Sequence, residues 1–135
     1  MIIDQKGEEQ MDELTLSESE FRLMDVIWRY APVESGKLVK ICADELNWKK
    51  STTYTMLRKV QDKGMVKNDD SVVSVIVPRD RVQEIESERL VSKAFGGSLP
   101  SFLASFLGNR SLSDKEADEL IDLIDRYRGE DQQKA

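Results

Sequence analysis

The order of its hydrophobic patterns is what most constrains the fold of this chain. Between residues 17 and 77, three stretches with helical spacing of apolar residues precede two short β-prone runs around a polar turn. Three helices followed by a hairpin is the order of a winged helix-turn-helix domain. We therefore expect a mainly α fold with a small β-hairpin wing, an α+β class.

Local signals set the ends of the first two helices. Ser17 and Glu20 fit a capping box, and Leu16 precedes it where a hydrophobic staple residue lies. Pro32 ends the first helix, and the second is expected over Ser35–Leu46. The predicted buried faces contain Phe21, Met24, Ile27, Trp28 and Ala31 in the first helix, and Leu38, Val39, Ile41 and Cys42 in the second.

The third helix is expected over residues 50–63, because Gly64 suits the position just after a helix. Thr53, Leu57 and Val60 recur at i, i+4 and i+7, so they are expected to face the core. The opposite face then presents hydroxyl, aromatic and basic side chains that a partner can reach. These are Lys50, Ser51, Tyr54, Thr55 and Arg58.

The β-prone runs lie at residues 65–67 and 72–77, and Pro78 closes the second. The tetrapeptide Asn68-Asp69-Asp70-Ser71 between them has the composition of a turn. Two such runs around a polar turn predict a hairpin.

Three further helical patterns follow, at about 82–95, at 98–107, and from a second capping box formed by Ser113 and Glu116. They are rich in Leu and Phe but too short for an independent core. Exposed apolar faces of this size usually meet a partner, most often in a symmetric dimer. The predicted dimerisation residues are Leu99, Phe102, Leu103, Phe106, Leu107, Leu120, Leu123, Ile124 and Tyr127.

These patterns divide the 135 residues into four segments. We expect a flexible acidic tail at 1–14, a winged helix-turn-helix DNA-binding domain at 15–78, a helical dimerisation region at 79–128 and a flexible tail at 129–135.

The composition excludes several kinds of chemistry. The chain has no histidine and one cysteine, Cys42, which excludes Ser–His–Asp and Cys–His nucleophilic machinery as well as a structural zinc site. Carboxylate pairs such as Asp118 and Asp122 are more simply the polar face of an amphipathic helix. The sequence therefore predicts a binding protein with no catalytic residues, no metal and no cofactor.

Charge is distributed unevenly along the chain. The net charge is −6, yet residues 48–67 carry six basic residues against one acid, Asp62. Such an asymmetry is typical of an electrostatic footprint for nucleic acid, although a row of lysines can also be only a solvated helix face.

The third helix is the best candidate for DNA contact, because a helix fits the major groove of B-DNA. Arg58 suits bidentate contact with guanine, and Lys49 and Lys50 lie at the helix start, where phosphate is favoured. Lys59 and Lys63 are expected to touch phosphate or solvent. The predicted DNA-binding residues are Lys49, Lys50, Ser51, Thr52, Tyr54, Thr55, Arg58 and Lys59.

Several segments resemble the penicillinase-repressor (BlaI/MecI-type) family over residues 14–127. Its N-terminal motifs are similar to Leu16-Ser17-Glu18-Ser19-Glu20, Val26-Ile27-Trp28, Trp48-Lys49-Lys50-Ser51-Thr52-Thr53-Tyr54-Thr55-Met56-Leu57-Arg58-Lys59 and Asp62-Lys63-Gly64-Met65-Val66. Its C-terminal half is similar to Phe95-Gly96-Gly97-Ser98-Leu99 and Leu112-Ser113-Asp114-Lys115-Glu116-Ala117-Asp118-Glu119-Leu120.

The resemblance implies a homodimeric repressor that binds palindromic operators and keeps resistance genes silent. It also implies a membrane sensor-protease as a partner, with the cleaved bond at Ser105–Phe106. Copper-responsive relatives carry a C-terminal cysteine cluster that this chain lacks, which excludes copper sensing by that route.

Two departures from the family pattern keep an alternative open. The predicted turn carries Asp69 and Asp70, whose carboxylates would repel phosphate unless Lys67 and Arg79 compensate. Glu34 also stands where Ser or Thr would cap the second helix better. A winged-helix protein-interaction module that binds DNA weakly or not at all is therefore the alternative function, and an enzyme is the least favoured.

The lone cysteine fits a reducing cytosol, and we expect a cytoplasmic protein. No apolar run approaches the roughly 20 residues of a spanning helix, so no membrane insertion is expected. Leu and Phe residues of the C-terminal interface could line a small-molecule pocket or form plain core.

Overall fold

The structure, a computed structural model, describes residues 14–134, so residues 1–13 of the predicted acidic tail lie outside the described part. It divides into two compact units, the first ending at Gly97 and the second beginning at Ser98. The elements of the first unit are α1 Glu18–Tyr30, β1 Val33–Glu34, α2 Ser35–Leu46, α3 Lys50–Asp62, β2 Val66–Asp69, β3 Val72–Val75 and α4 Arg79–Phe95; those of the second are α5 Leu99–Leu107 and α6 Asp114–Lys134.

Three helices and a small antiparallel sheet, of strand order β1-β3-β2, confirm the α+β fold class and the winged helix-turn-helix architecture. The hairpin is tighter than predicted, because β2 continues through Asn68 to Asp69, which pairs with Val72. Only Asp70 and Ser71 remain between the strands, and both have positive φ (52° and 67°), as in a type I′ turn.

The strand β1 was not predicted. Its two residues pair with β3, Val33 opposite Val73 and Glu34 opposite Val72. A two-residue strand is too short to show the alternation of apolar and polar residues, and its partner is some forty residues away in the sequence. No local sequence pattern therefore predicts it.

Packing corrects the predicted face of α1. Phe21 is 39% exposed and meets Trp28 edge-on at 5.7 Å, while Leu23 and Val26 are fully buried. Trp28 is half-buried, and its indole N–H donates to the Val77 carbonyl at 3.0 Å. The core is Leu14, Leu23, Met24, Val26, Ile27, Val33, Leu38, Cys42, Leu57, Val60, Met65, Val66, Val73, Val82 and Ile85, with Ala31, Val39 and Ile41 half-buried.

Helix ends follow the local signals closely. The Ser17 hydroxyl accepts from the Glu20 amide, and the Glu20 carboxylate accepts from the Ser17 amide, which confirms the capping box. The helix α3 ends at Asp62, one residue before the predicted end, with Gly64 at φ 76°. Glu34 makes no side-chain capping bond to α2, in keeping with its poor capping chemistry.

Boundaries between regions differ from the sequence-based division. Leu14 is buried with the core rather than in a tail, and α4 belongs to the first unit through buried Val82 and Ile85. The helix α6 runs to Lys134, into the segment predicted as a tail.

No single helix among residues 14–134 is long and apolar enough to cross a membrane. Only Arg79–Phe95 and Leu99–Leu107 taken together reach the length and apolar composition of a membrane span, and this rests on length and composition alone.

Candidate nucleic-acid interface

The orientation of α3 is set by its buried side. Thr53, Leu57 and Val60 are all buried, as the spacing predicted, and the helix packs against α1 and α2. The exposed residues of α3 and its N-cap, which we call the α3 face, include Lys49, Lys50, Ser51, Thr52, Tyr54, Thr55, Arg58 and Lys59. All eight predicted DNA-binding residues are therefore accessible to a partner.

The basic residues of the α3 face have no ionic partners. Among the described residues, Lys49, Lys50, Arg58 and Lys59 form no ion pair, although the chain carries more acidic than basic residues. Several arginines elsewhere are paired with carboxylates, as in the 2.6 Å contact between the Arg29 guanidinium and the Glu45 carboxylate. The free positive charge of the α3 face is thus available to an external anion.

The hydroxyl groups of the α3 face differ in what they can donate. The Thr55 hydroxyl donates to the Ser51 carbonyl at 2.9 Å, so towards a partner it offers a methyl group and acceptor lone pairs. The hydroxyls of Ser51, Thr52 and Tyr54 have no hydrogen-bond partner within residues 14–134 and can donate or accept. Donors and acceptors together are what base edges require.

An open groove of about 350 Å³ runs along the C-terminal part of this face. It is lined by Tyr54, Thr55, Arg58, Lys59 and Asp62. Asp62 was not predicted as a site residue, and its carboxylate limits how far phosphate can follow the groove. At the other end, Lys49 makes no side-chain cap, which leaves the first amide N–H groups of α3 free for an anion.

Lys63 does not belong to the α3 face, although its side chain, which was predicted to touch phosphate or solvent, remains 32% exposed. Its ammonium group donates to the Glu20 carboxylate at 2.6 Å and to the Thr15 carbonyl at 2.7 Å. Burial raises the pKa of Glu20, but the hydrogen bonds from Lys63 and Ser17 and the charge of Lys63 outweigh it and lower the pKa overall. From the sequence, Glu20 was predicted only as a capping residue, because its ion-pair partner Lys63 lies 43 positions away.

The wing stays acidic in the structure. Lys67 pairs with Asp69 at 3.5 Å on the same strand. Arg79 lies over the Trp28 ring at 4.8 Å and pairs with Asp25 at 2.7 Å, so it is held by α1. Neither Lys67 nor Arg79 is therefore available to offset the negative charge of Asp70 at the tip of the wing.

The predicted dimerisation residues lie on the second unit, where none of residues 98–128 is fully buried. The rings of Phe102 and Phe106 stack at 6.0 Å, and Phe106 is 58% exposed. Arg110 lies over Phe106 at 5.2 Å and donates to its carbonyl at 3.2 Å. Exposed apolar residues of this unit are Leu99, Phe106, Ile121, Leu123, Ile124 and Tyr127, of which Ile121 was not predicted; Phe102, Leu103, Leu107 and Leu120 are half-buried.

Cys42 lies in the core, away from the α3 face. Burial raises the pKa of its thiol, which keeps the thiol protonated and unreactive at neutral pH.

Known proteins resemble this chain along nearly its whole length. A model of the penicillinase repressor family matches residues 16–126. The chain is 26% identical over 118 residues to the penicillinase repressor of Bacillus licheniformis, covering 84% of this chain and 91% of that protein. It is 21% identical over 115 residues to the methicillin resistance regulatory protein MecI of Staphylococcus aureus strain N315, covering 82% and 94%. It is 22% identical over 116 residues to the penicillinase repressor of Staphylococcus aureus, covering 83% and 92%.

The match confirms the resemblance seen in the sequence motifs, and the winged-helix architecture agrees with it. The chain belongs to the penicillinase repressor family of winged-helix transcriptional repressors, which are not enzymes.

Proposed function

We propose that this chain represses transcription as a homodimer that binds palindromic operator DNA, each protomer placing α3 in a major groove. The observation that carries the proposal is the α3 face, where four basic side chains have no ion-pair partner among residues 14–134, in a chain of net charge −6. Cations that are not used within the fold can displace counterions from phosphate, and this release drives DNA binding.

The chemistry of the α3 face suggests a division of roles. Arg58 would contact a guanine bidentately, because its guanidinium is unpaired and lies in the groove. Lys49 and Lys50 would hold phosphate beside the free amides of the helix start, with Lys59 holding another phosphate. Ser51, Thr52, Tyr54 and Thr55 supply the remaining hydrogen-bonding groups and one methyl contact.

We assign dimerisation to the second unit. Its helices leave Leu99, Phe106, Ile124 and Tyr127 more than half exposed, and surfaces of this kind are usually covered by a partner. A second copy of the chain is the partner that fits a palindromic operator, because the two-fold axis of a dimer then coincides with the two-fold axis of the DNA.

We further propose that the regulon is of the β-lactam-resistance type or related to it, and that the protein acts in the cytoplasm. Relatives are named for penicillinase and methicillin resistance. Derepression would act through the C-terminal region, with a membrane sensor-protease cleaving at Ser105–Phe106. Incubation with an induced membrane fraction and mass mapping of the fragments should reveal that break, and an intact chain would contradict it.

A protein-interaction module is the second candidate, and the acidic wing favours it. Asp70 stands uncompensated at the tip and would repel phosphate if the wing approached the DNA backbone. In that case α3 alone would give weak binding of similar strength to every DNA sequence.

Fluorescence anisotropy on duplex DNA from the region upstream of the gene distinguishes the two candidates. The repressor should bind that duplex tightly, with two chains per site, and a scrambled duplex of the same composition far more weakly. Equally weak binding to both duplexes would contradict the repressor and support the interaction module.

A further inference from the structure

The helix α4 is fastened to the first unit at its start. The Arg79 guanidinium lies over the Trp28 ring at 4.8 Å and reaches the Asp25 carboxylate at 2.7 Å. Trp28 in turn donates to the Val77 carbonyl, two residues before Arg79. Cation–π, ionic and hydrogen-bond contacts therefore hold this end of α4 on α1.

A second fastening lies about 15 Å further along α4, at the rise of 1.5 Å per helical residue. The Arg89 guanidinium donates a hydrogen bond to the Thr15 hydroxyl. Between the two arginines Val82 and Ile85 are buried in the core, whereas beyond Ile85 no residue of α4 is fully buried. Arg89 thus attaches α4 to the segment before α1 at a point beyond the buried part of the helix.

The same Thr15 also holds the end of α3. Its carbonyl accepts from the Lys63 ammonium group at 2.7 Å, and Lys63 is the residue that caps α3. Lys63 is further fixed by Glu20, whose side chain is 4% exposed and which is itself bound by the Ser17 amide at 2.7 Å. Thr15, in the segment before α1, therefore accepts hydrogen bonds from the basic side chain that follows α3 and from a basic side chain of α4.

We propose that Arg89 is a positioning residue for DNA recognition, acting through Thr15 and Lys63 to hold the C-terminal end of α3 at a fixed angle to α4. This role rests on the proposed reading of operator DNA by α3. A recognition helix must present its side chains to base edges within a few tenths of an ångström, and a support shared with α4 restricts its tilt. Loosening α4 at Arg89 then loosens α3 without touching any DNA-contacting residue.

Amide hydrogen exchange of the free, full-length protein tests this coupling without DNA. The amides of Lys63, Gly64 and Met65 donate within the last turn of α3 and just after it. In Arg89→Met they should exchange about tenfold faster, the effect expected from losing one charge-assisted hydrogen bond. Thr15→Val removes only the hydroxyl and should give the same pattern. Arg81→Met removes an equal charge from α4, where Arg81 pairs only locally with Glu84, and should change nothing at these amides.

Two results of the exchange experiment would overturn the proposal. One is an exchange rate at these amides that is the same in Arg89→Met as in Arg81→Met. The other is faster exchange throughout the buried part of α1 as well, because this would show general destabilisation rather than a local link.

DNA binding supplies a readout that a merely structural role would not change. Arg89→Met should lower the preference for the native over the scrambled duplex about threefold or more, while Arg81→Met leaves it unchanged. Equal preferences in the two variants would overturn the positioning role. A wild-type protein without any preference would contradict the proposed function itself, and the exchange experiment would still decide the link between α4 and α3.

Discussion

Arg58 is the residue on which base recognition most depends in the proposed complex. Its guanidinium is exposed, has no ion-pair partner in the part of the chain that the structure describes, and can contact guanine bidentately. Arg58→Ala should weaken binding to the native duplex by about 1–3 kcal/mol for each protomer and relax specificity at one base pair of each half-site. Anisotropy on duplexes with single base-pair changes measures both effects. Arg22→Ala removes an exposed arginine of α1 that pairs with Glu18 and serves as the control. An equal loss on every duplex would instead make Arg58 a phosphate contact.

Glu20 makes stability depend on pH. Its pKa in the folded chain is below the ordinary value of 4.5, so its stabilising contribution is complete above that pH and is lost as the pH falls through the folded value. At pH 7, Glu20→Gln should lower the free energy of unfolding by about 1–3 kcal/mol, since Lys63 loses its charged partner. The difference should shrink between pH 5 and about pH 3 in urea titrations. A difference that stays constant over that range would contradict the assignment.

Individual residues were predicted from the sequence where their role is local. The α3 face follows from the spacing of Thr53, Leu57 and Val60, because one helix fixes which residues share a side. Lys63 was misplaced for the opposite reason. Its contacts with Thr15 and Glu20 join positions more than forty residues apart, and no spacing within α3 reports them.

The hairpin turn is the element whose backbone is least suited to its residues. Asp70 and Ser71 both adopt positive φ, which Asn and Gly adopt with less strain. The double substitution Asp70→Asn and Ser71→Gly should therefore raise the free energy of unfolding by about 0.5–1 kcal/mol, measured by urea denaturation. Ser71→Val should act in the opposite direction, because a β-branched residue is strained there. A lower stability of the Asn–Gly variant would contradict the turn conformation.

Elements themselves were predictable to within a few residues because caps and breakers are local. The capping box at Ser17 and the glycines at 64, 96 and 108 mark helix ends that the structure has. The strand β1 and the face of α1 were not predictable in the same way. Both depend on where β3 and Trp28 lie in three dimensions, and hence on packing between elements distant in sequence.

At the scale of the whole molecule, self-association is the property on which operator binding depends. Ile124 is 53% exposed on α6, inside the proposed dimerisation surface. Ile124→Glu should shift the chain to monomers in sedimentation velocity, because a buried carboxylate in an apolar interface is costly. Operator affinity should fall with it, since each monomer engages only one half-site. Asp122→Asn changes a neighbouring exposed residue of α6 and should leave the dimer intact. If neither variant dissociates into monomers, the dimer interface lies elsewhere.

The overall charge of the chain and the charge of its functional surface have opposite signs. A net charge of −6 favours a protein partner. Within the described residues, however, acids elsewhere pair with Arg29, Lys63 and Arg79, while the basic side chains of the α3 face have no ion-pair partner. The sequence showed the local excess of basic residues, but only the packed fold shows which of them are free. Lys63 illustrates the difference, because nothing in its sequence context indicates that Thr15 and Glu20 hold it.

The central claim is that DNA phosphates bind at the α3 face, and the salt dependence of affinity tests it most directly. The slope of log Kd against log salt counts neutralised phosphates at about 0.9 per contact. Lys49→Gln with Lys50→Gln should reduce the wild-type slope by about four contacts for each dimer bound, two from each protomer. Lys93→Gln with Lys115→Gln removes the same charge from exposed positions of α4 and α6 and should leave the slope at its wild-type value. Equal slopes for the two double variants would contradict binding at this face.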